Sequence, residues 1–117
     1  MSIIPETGAG LADADSYASI AAADTRCASL GLTAWAALAE ADKEIALRKA
    51  ALFMATYRPR WAGRRVYQHQ ALDWPRYNVA VDGFIVPSTT VPADVVNACI
   101  DLAARAGSGE DLLPDLD

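Results

Sequence analysis

Arg58–Arg76, RPRWAGRRVYQHQALDWPR, is the stretch on which the reading of the fold turns. It carries Arg58, Arg60, Arg64, Arg65 and Arg76, half of the chain's 10 basic residues, against one acid, Asp73. Trp61, Tyr67 and Trp74 lie inside it, Tyr57 and Tyr77 flank it, and the lone histidine, His69, is there too. Hydrophobic periodicity is weak across these residues, while the segments on both sides repeat with clear helical or hairpin spacing. The stretch therefore reads as a long, irregular connection pinned by its large side chains. Long connections in small domains are a common seat of function.

Before it, about Ala41 to Tyr57, lies a helix with Ala46, Ala50, Phe53, Met54 and Tyr57 on one face. Ile45 and Leu52 fall nearly opposite, beside Arg48 and Lys49. Two apolar stripes imply cover on two sides, as the central helix of a small bundle or against another subunit. Pro59 ends the helix. After the stretch, Val79–Val81 and Phe84–Val86 flank Asp82-Gly83, a pair suited to a type I′ hairpin turn. A last helix starts near Pro92, with Val95, Val96, Cys99, Leu102, Ala103 and Ala106 on its apolar face, and Gly107 to Gly109 stop it.

Nearer the N-terminus, Ile20–Leu30 reads as a helix with Ser19 as its cap and Gly31 past its end. Thr33 caps a single turn that places Trp35. Ile3 and Ile4 form a short edge strand. Gly8 and Gly10 make a GxG with no further glycine and no Gly-Lys-Ser/Thr, so they read as flexible backbone and not as a phosphate cradle. The fold class is mainly α: a small helical domain of about three main helices with a short β-hairpin before the last. Residues 1–106 read as one helical domain and 107–117 as a flexible acidic C-terminal tail. Trp35, Trp61 and Trp74 are expected to be buried structural anchors.

A chain of 117 residues, 53% apolar, fits one domain. Much of that apolar content is alanine, which buries little area, so support from partner subunits is expected. The net charge of −5 opposes general nucleic-acid binding, which clustered Lys and Arg drive. No run of 18 apolar residues is present, so no membrane span is expected, and the start MSIIPETGAG does not read as a signal peptide. Cys27 and Cys99 read as reduced, small core residues. No metal-ligand spacing occurs, and no cofactor is implied. His69 sits between Gln68 and Gln70 with no nucleophile placed near it by any motif, so no enzyme activity is expected. The arginines have three readings. They pair with acids of neighbouring helices, contact another subunit, or hold a single strand whose bases stack on the aromatics.

Six short elements together resemble a known family. They are Thr7-Gly8-Ala9-Gly10, Asp15-Ser16-Tyr17-Ala18-Ser19, Thr33-Ala34-Trp35-Ala36-Ala37-Leu38, Arg60-Trp61-Ala62-Gly63-Arg64-Arg65, Gln70-Ala71-Leu72-Asp73-Trp74-Pro75-Arg76 and Pro92-Ala93-Asp94-Val95. The fifth is the most specific. The chain resembles the DnaT-like family of tailed-phage and prophage proteins. That resemblance implies either of two roles. One is that of a head–tail connector subunit, non-enzymatic, forming a ring of copies with portal and tail proteins, in the virion and in the bacterial cytoplasm during assembly. The other is single-stranded-DNA binding of a DnaT-like kind. The acidic total favours the connector, with Arg58, Arg60, Arg64, Arg65 and Arg76 as its partner contacts, and with no binding of an unstructured oligonucleotide at physiological salt.

Overall fold

Ser19 stands just before the first helix, α1 (Ile20–Ser29), and its hydroxyl accepts the Ala22 N–H at 3.1 Å. That bond satisfies one of the donors a helix start leaves open. Gly31, at φ +72°, turns the chain out of the helix through left-handed backbone. A single turn follows, α2 (Thr33–Ala36). Leu32, not Thr33, holds its cap position, and no side chain caps it. The turn buries Trp35, whose indole N–H donates to the Asp24 carboxylate at 2.8 Å. α3 (Glu40–Ala55) and α4 (Ala93–Gly107) form the main helix pair, and α1 packs on both. Arg26 of α1 clasps Asp101 of α4 through two bonds, 2.8 and 3.0 Å long.

The computed structural model describes residues 2–109. Three main helices with short hairpins make the fold mainly α, in agreement with the sequence pattern. Of the expected tail, Gly107 is the last residue of α4, and residues 110–117 lie outside the described residues.

The core is built from small side chains. Ala23, Ala46, Ala50 and Ala103 are buried around Leu47, Cys27, Cys99 and Ile100. Both cysteines are free thiols, and burial raises each above its ordinary pKa. A buried neutral thiol is a poor nucleophile. The folded protein should therefore resist alkylation at neutral pH, and both cysteines should label once urea unfolds it. Fast labelling of the native protein, read by mass spectrometry, would contradict this core.

Of the two readings of α3, the central helix of a bundle is not what the chain forms, since among the described residues α3 is covered on one side only. It buries Ala46, Leu47, Ala50, Ala51 and Met54 on one side. Ile45 and Leu52 stay 47% and 60% exposed. Within the described residues nothing covers that second stripe, because α4 and α1 both pack against the alanine side.

After α3 a 3-10 turn, Arg58–Arg60, changes the chain's direction. The two ends of the aperiodic stretch then find each other. β1 (Arg64–Arg65) runs antiparallel to β2 (Arg76–Tyr77), with Arg64 opposite Tyr77 and Arg65 opposite Arg76. Gly63 makes the approach feasible: at φ +69° it lies so close that a Cβ would sit 2.1 Å from the Tyr77 carbonyl oxygen. β3 (Ala80–Val81) and β4 (Phe84–Ile85) form the expected hairpin, with Asp82 and Gly83 at φ +54° and +82° as a type I′ turn requires. Its strands are shorter than the apolar runs, although the Val86 N–H still reaches the Val79 carbonyl at 2.9 Å. In place of an edge strand at Ile3 and Ile4, the N-terminus makes one isolated parallel bridge, Pro5 to Ser16.

Candidate functional site

The Arg58–Arg76 stretch closes around a buried polar staple. Arg76, at the start of β2, turns inward and is 6% exposed. Its guanidinium donates to the carbonyls of Ala62 (2.8 Å), Gly63 (3.0 Å) and Asp73 (3.1 Å). Gln70 is buried six residues upstream. Its amide nitrogen donates to the Leu72 and Pro75 carbonyls at 2.9 and 3.0 Å, and its amide oxygen accepts the Tyr67 N–H at 3.0 Å. From the other side of the molecule, the Tyr17 hydroxyl oxygen accepts the Asp73 and Trp74 N–H groups at 3.0 and 3.2 Å. Burial pushes the Tyr17 hydroxyl far above its ordinary pKa. Burial also lowers the Arg76 guanidinium, with the nearby Asp73 carboxylate offsetting part of the effect. An arginine stays charged in such a setting, so its three bonds are charge-assisted.

A second buried anchor lies beside the staple. The Glu6 carboxylate, 5% exposed, accepts the N–H groups of Gly8 (2.9 Å), Gly10 (2.8 Å) and Leu11 (2.8 Å). Successive backbone N–H groups wrapped around one point form an anion nest. Here the chain's own carboxylate fills it. The GxG is therefore pinned backbone, which corrects its reading as a flexible loop and agrees that it is no phosphate cradle. The nest leans on the staple: the Leu11 carbonyl accepts the Ala71 N–H at 2.9 Å, and a Cβ on Gly10 would sit 2.5 Å from the Tyr67 ring.

The five arginines proposed as contacts separate into distinct roles. Arg76 is spent on backbone carbonyls inside the protein, which removes it as a partner contact. Its guanidinium is committed to three carbonyls and its side chain is almost wholly buried, which leaves no face for another molecule. Arg58 pairs with the buried carboxylate of Asp73 but keeps about half of its side chain, 51%, in solvent. Arg65 donates to the Gln70 carbonyl at 3.2 Å. Arg60 and Arg64 point outward, and neither has a carboxylate partner among the described residues. Arg60 lies 5.8 Å from the centre of the Tyr57 ring, and Arg64 lies 4.8 Å from that of Tyr77. Both contacts are cation–π ledges. They follow from local geometry: side chains three apart eclipse in a 3-10 turn, and Arg64 sits directly across the ladder from Tyr77. Tyr67, 47% exposed, stacks on His69 with ring centres 5.2 Å apart.

The tryptophans take no part in this surface. Trp74 is 5% exposed, and the half-buried Trp61 meets it edge to face at 5.6 Å. Neither indole N–H has an acceptor among the described residues, so packing and ring contact alone hold the pair. Any stacking surface is thus made by Tyr57, Tyr67 and Tyr77. The sequence pattern expected the tryptophans to be buried anchors and left stacking, if any, to the aromatics as a group, without separating out the tyrosines. The Tyr57–Arg60 spacing carried the signal for one ledge; the other depends on the β1–β2 pairing, which no local pattern announces. Glu6 was not singled out, and Gln70 and Tyr17 entered within the resemblance elements with no role assigned, although the two acceptors and the amide are what hold the site in shape. Among the described residues no cluster of three or more His, Cys, Asp or Glu side chains is arranged to hold a metal ion.

No curated protein and no solved structure was found to match the chain. One family's sequence model matches residues 1–117, the whole length quoted above, staple and tyrosine ledges included. The chain belongs to that family, which is described as "Putative DnaT-like ssDNA binding protein".

Proposed function

We propose that this protein binds single-stranded DNA on the exposed Arg/Tyr face of the Arg58–Arg76 stretch. The observation that carries this reading is the pair of open guanidinium–phenol ledges, Arg60 on Tyr57 and Arg64 on Tyr77. Each offers a flat surface to a base and a positive charge to the adjoining phosphate, which is what binding of an unpaired strand needs. The description of the family supports the same role. The net charge of −5 works against affinity, so binding is modest and steeply dependent on salt. Arg58, Arg60 and Arg64 together give a slope of log K against log salt of about −2, at roughly −0.7 for each phosphate held.

Fluorescence anisotropy with labelled poly-dT at several salt concentrations tests this. Replacing Arg60 and Arg64 together by alanine should flatten the slope by about 1.4. Tyr77→Ala should cost about 1–3 kcal/mol of binding, the value of one stacked base. A slope that the double arginine variant leaves unchanged would sink the proposal. The second reading, a head–tail connector subunit docking on phage portal and tail proteins, is favoured by one feature: the β3–β4 hairpin, apolar and wide open, carries no basic residue. Absence of poly-dT binding even at low salt would promote it. In neither reading does the protein catalyse a reaction.

A further inference from the structure

The hairpin is the most exposed apolar feature of the described residues. Val81, Phe84 and Ile85 are 57%, 77% and 83% exposed. The register sets Val81 across from Phe84 and Ala80 across from Ile85, so each face of the ribbon presents one apolar pair and both faces are open. A two-stranded ribbon this short has little stability of its own. Apolar surface of this kind on a small domain marks a contact site. At its turn stands Asp82, which makes no ion pair among the described residues.

The outer face of α3 is the complementary surface. Ile45, Lys49 and Leu52 follow one another at i, i+4 and i+7, all three exposed. Lys49 likewise has no carboxylate partner among the described residues. One patch is therefore a protruding apolar edge with a carboxylate at its tip. The other is a flat aliphatic stripe with an ammonium at its middle.

We propose that the hairpin of one copy of this chain lies on the outer face of α3 of a second copy. Phe84 and Val81 pack between Ile45 and Leu52, and Asp82 meets Lys49. Because the two patches are different surfaces, the contact is heterologous. Each pair of copies keeps one free hairpin and one free α3 face, so association continues beyond a dimer until a ring closes or a filament grows. Each patch rests on three or four side chains, far fewer than the roughly 20–30 residues a side of a standard interface, so a single contact is weak and assembly depends on concentration. None of the arginines in the Arg58–Arg76 stretch takes part, and the inference stands or falls apart from DNA binding.

Sedimentation velocity on the full chain, from micromolar to near-millimolar concentration, tests it. The weight-average mass should climb past that of a dimer. Phe84→Asp and Leu52→Asp, both at exposed positions, should each hold the mass at the monomer value. Mixing the two variants should restore one contact only, since the first retains an intact α3 face and the second an intact hairpin. The mixture should thus give a one-to-one dimer and nothing larger. Asp82→Lys and Lys49→Asp should each weaken assembly, and combining them in one chain should restore it. Circular dichroism confirms that each variant is folded, and the charge-swapped chain reads the contact even if an apolar variant is not. A wild type that stays monomeric, a species that stops at two copies, or a variant mixture that stays monomeric overturns the proposal. A monomeric wild type that still binds poly-dT leaves the DNA reading intact.

Discussion

Arg76→Ala is expected to destabilise the protein by about 3–5 kcal/mol, the largest effect of any single arginine. The guanidinium is 6% exposed and donates to three carbonyls that come from both sides of the loop. Removing it leaves those oxygens short of a donor and takes a positive charge from beside the buried Asp73 carboxylate, in a setting water enters poorly. A small domain has only about 5–15 kcal/mol in total. At roughly 4–8 °C for each kcal/mol, the melting temperature should fall by at least 12 °C. Arg76→Lys should recover little of this, because one ammonium cannot reproduce a planar fork aimed at three separate acceptors. Arg64→Ala provides the contrast. Its side chain lies on the surface, over Tyr77, and its loss should shift stability by no more than about 1 kcal/mol. Thermal and urea unfolding monitored by tryptophan fluorescence, with Trp61 and Trp74 beside the staple, measures both. A loss below 1 kcal/mol for Arg76→Ala would mean that the staple does not hold the loop.

The same pair of arginines shows which parts of this structure the sequence discloses. α1, α4 and the hairpin turn were legible because each is specified locally: Ser19 and Gly31 at the ends of α1, the apolar spacing of Val95, Cys99 and Ala103 in α4, and Asp82-Gly83 in the turn. Burial of Trp35 and Trp74 was legible from side-chain size. What the arginines do was not. Arg64 and Arg76 belong to the same charge cluster, yet the β1–β2 ladder sends one outward over Tyr77 and the other inward to the backbone. Alternation along two-residue strands sets that difference, and no periodicity can be read over two residues. Which of its two readings the second stripe of α3 takes was open for a related reason. Ile45 and Leu52 announce an apolar face, but only the three-dimensional arrangement shows that nothing in the described part of the chain lies against it.

Glu6→Ala should be the second most damaging single change, at about 3 kcal/mol. Three backbone N–H groups, those of Gly8, Gly10 and Leu11, depend on this carboxylate, and the loss of acceptors for buried donors costs about 1–3 kcal/mol each when they stay dry. The sum is reduced because a loop near the chain's start can relax toward solvent. The damage should nonetheless travel. Gly8 packs against the Thr89 backbone, Gly10 against the Tyr67 ring, and Leu11 bonds Ala71, so a loosened nest frees the flank of the exposed Arg/Tyr face. Hydrogen exchange at the Ala71 and Leu11 amides should quicken more than at Ala50 in the middle of α3. Glu6→Gln keeps one acceptor oxygen and should lose less. The sharper test is rescue. Glu6→Ala leaves a cup of N–H groups shaped for a small carboxylate, so acetate should recover part of the lost melting temperature, whereas chloride at equal ionic strength should not. Equal effects of the two salts would show that the nest collapses once its carboxylate is gone, and that Glu6 shapes the loop instead of filling a cavity that the backbone holds ready.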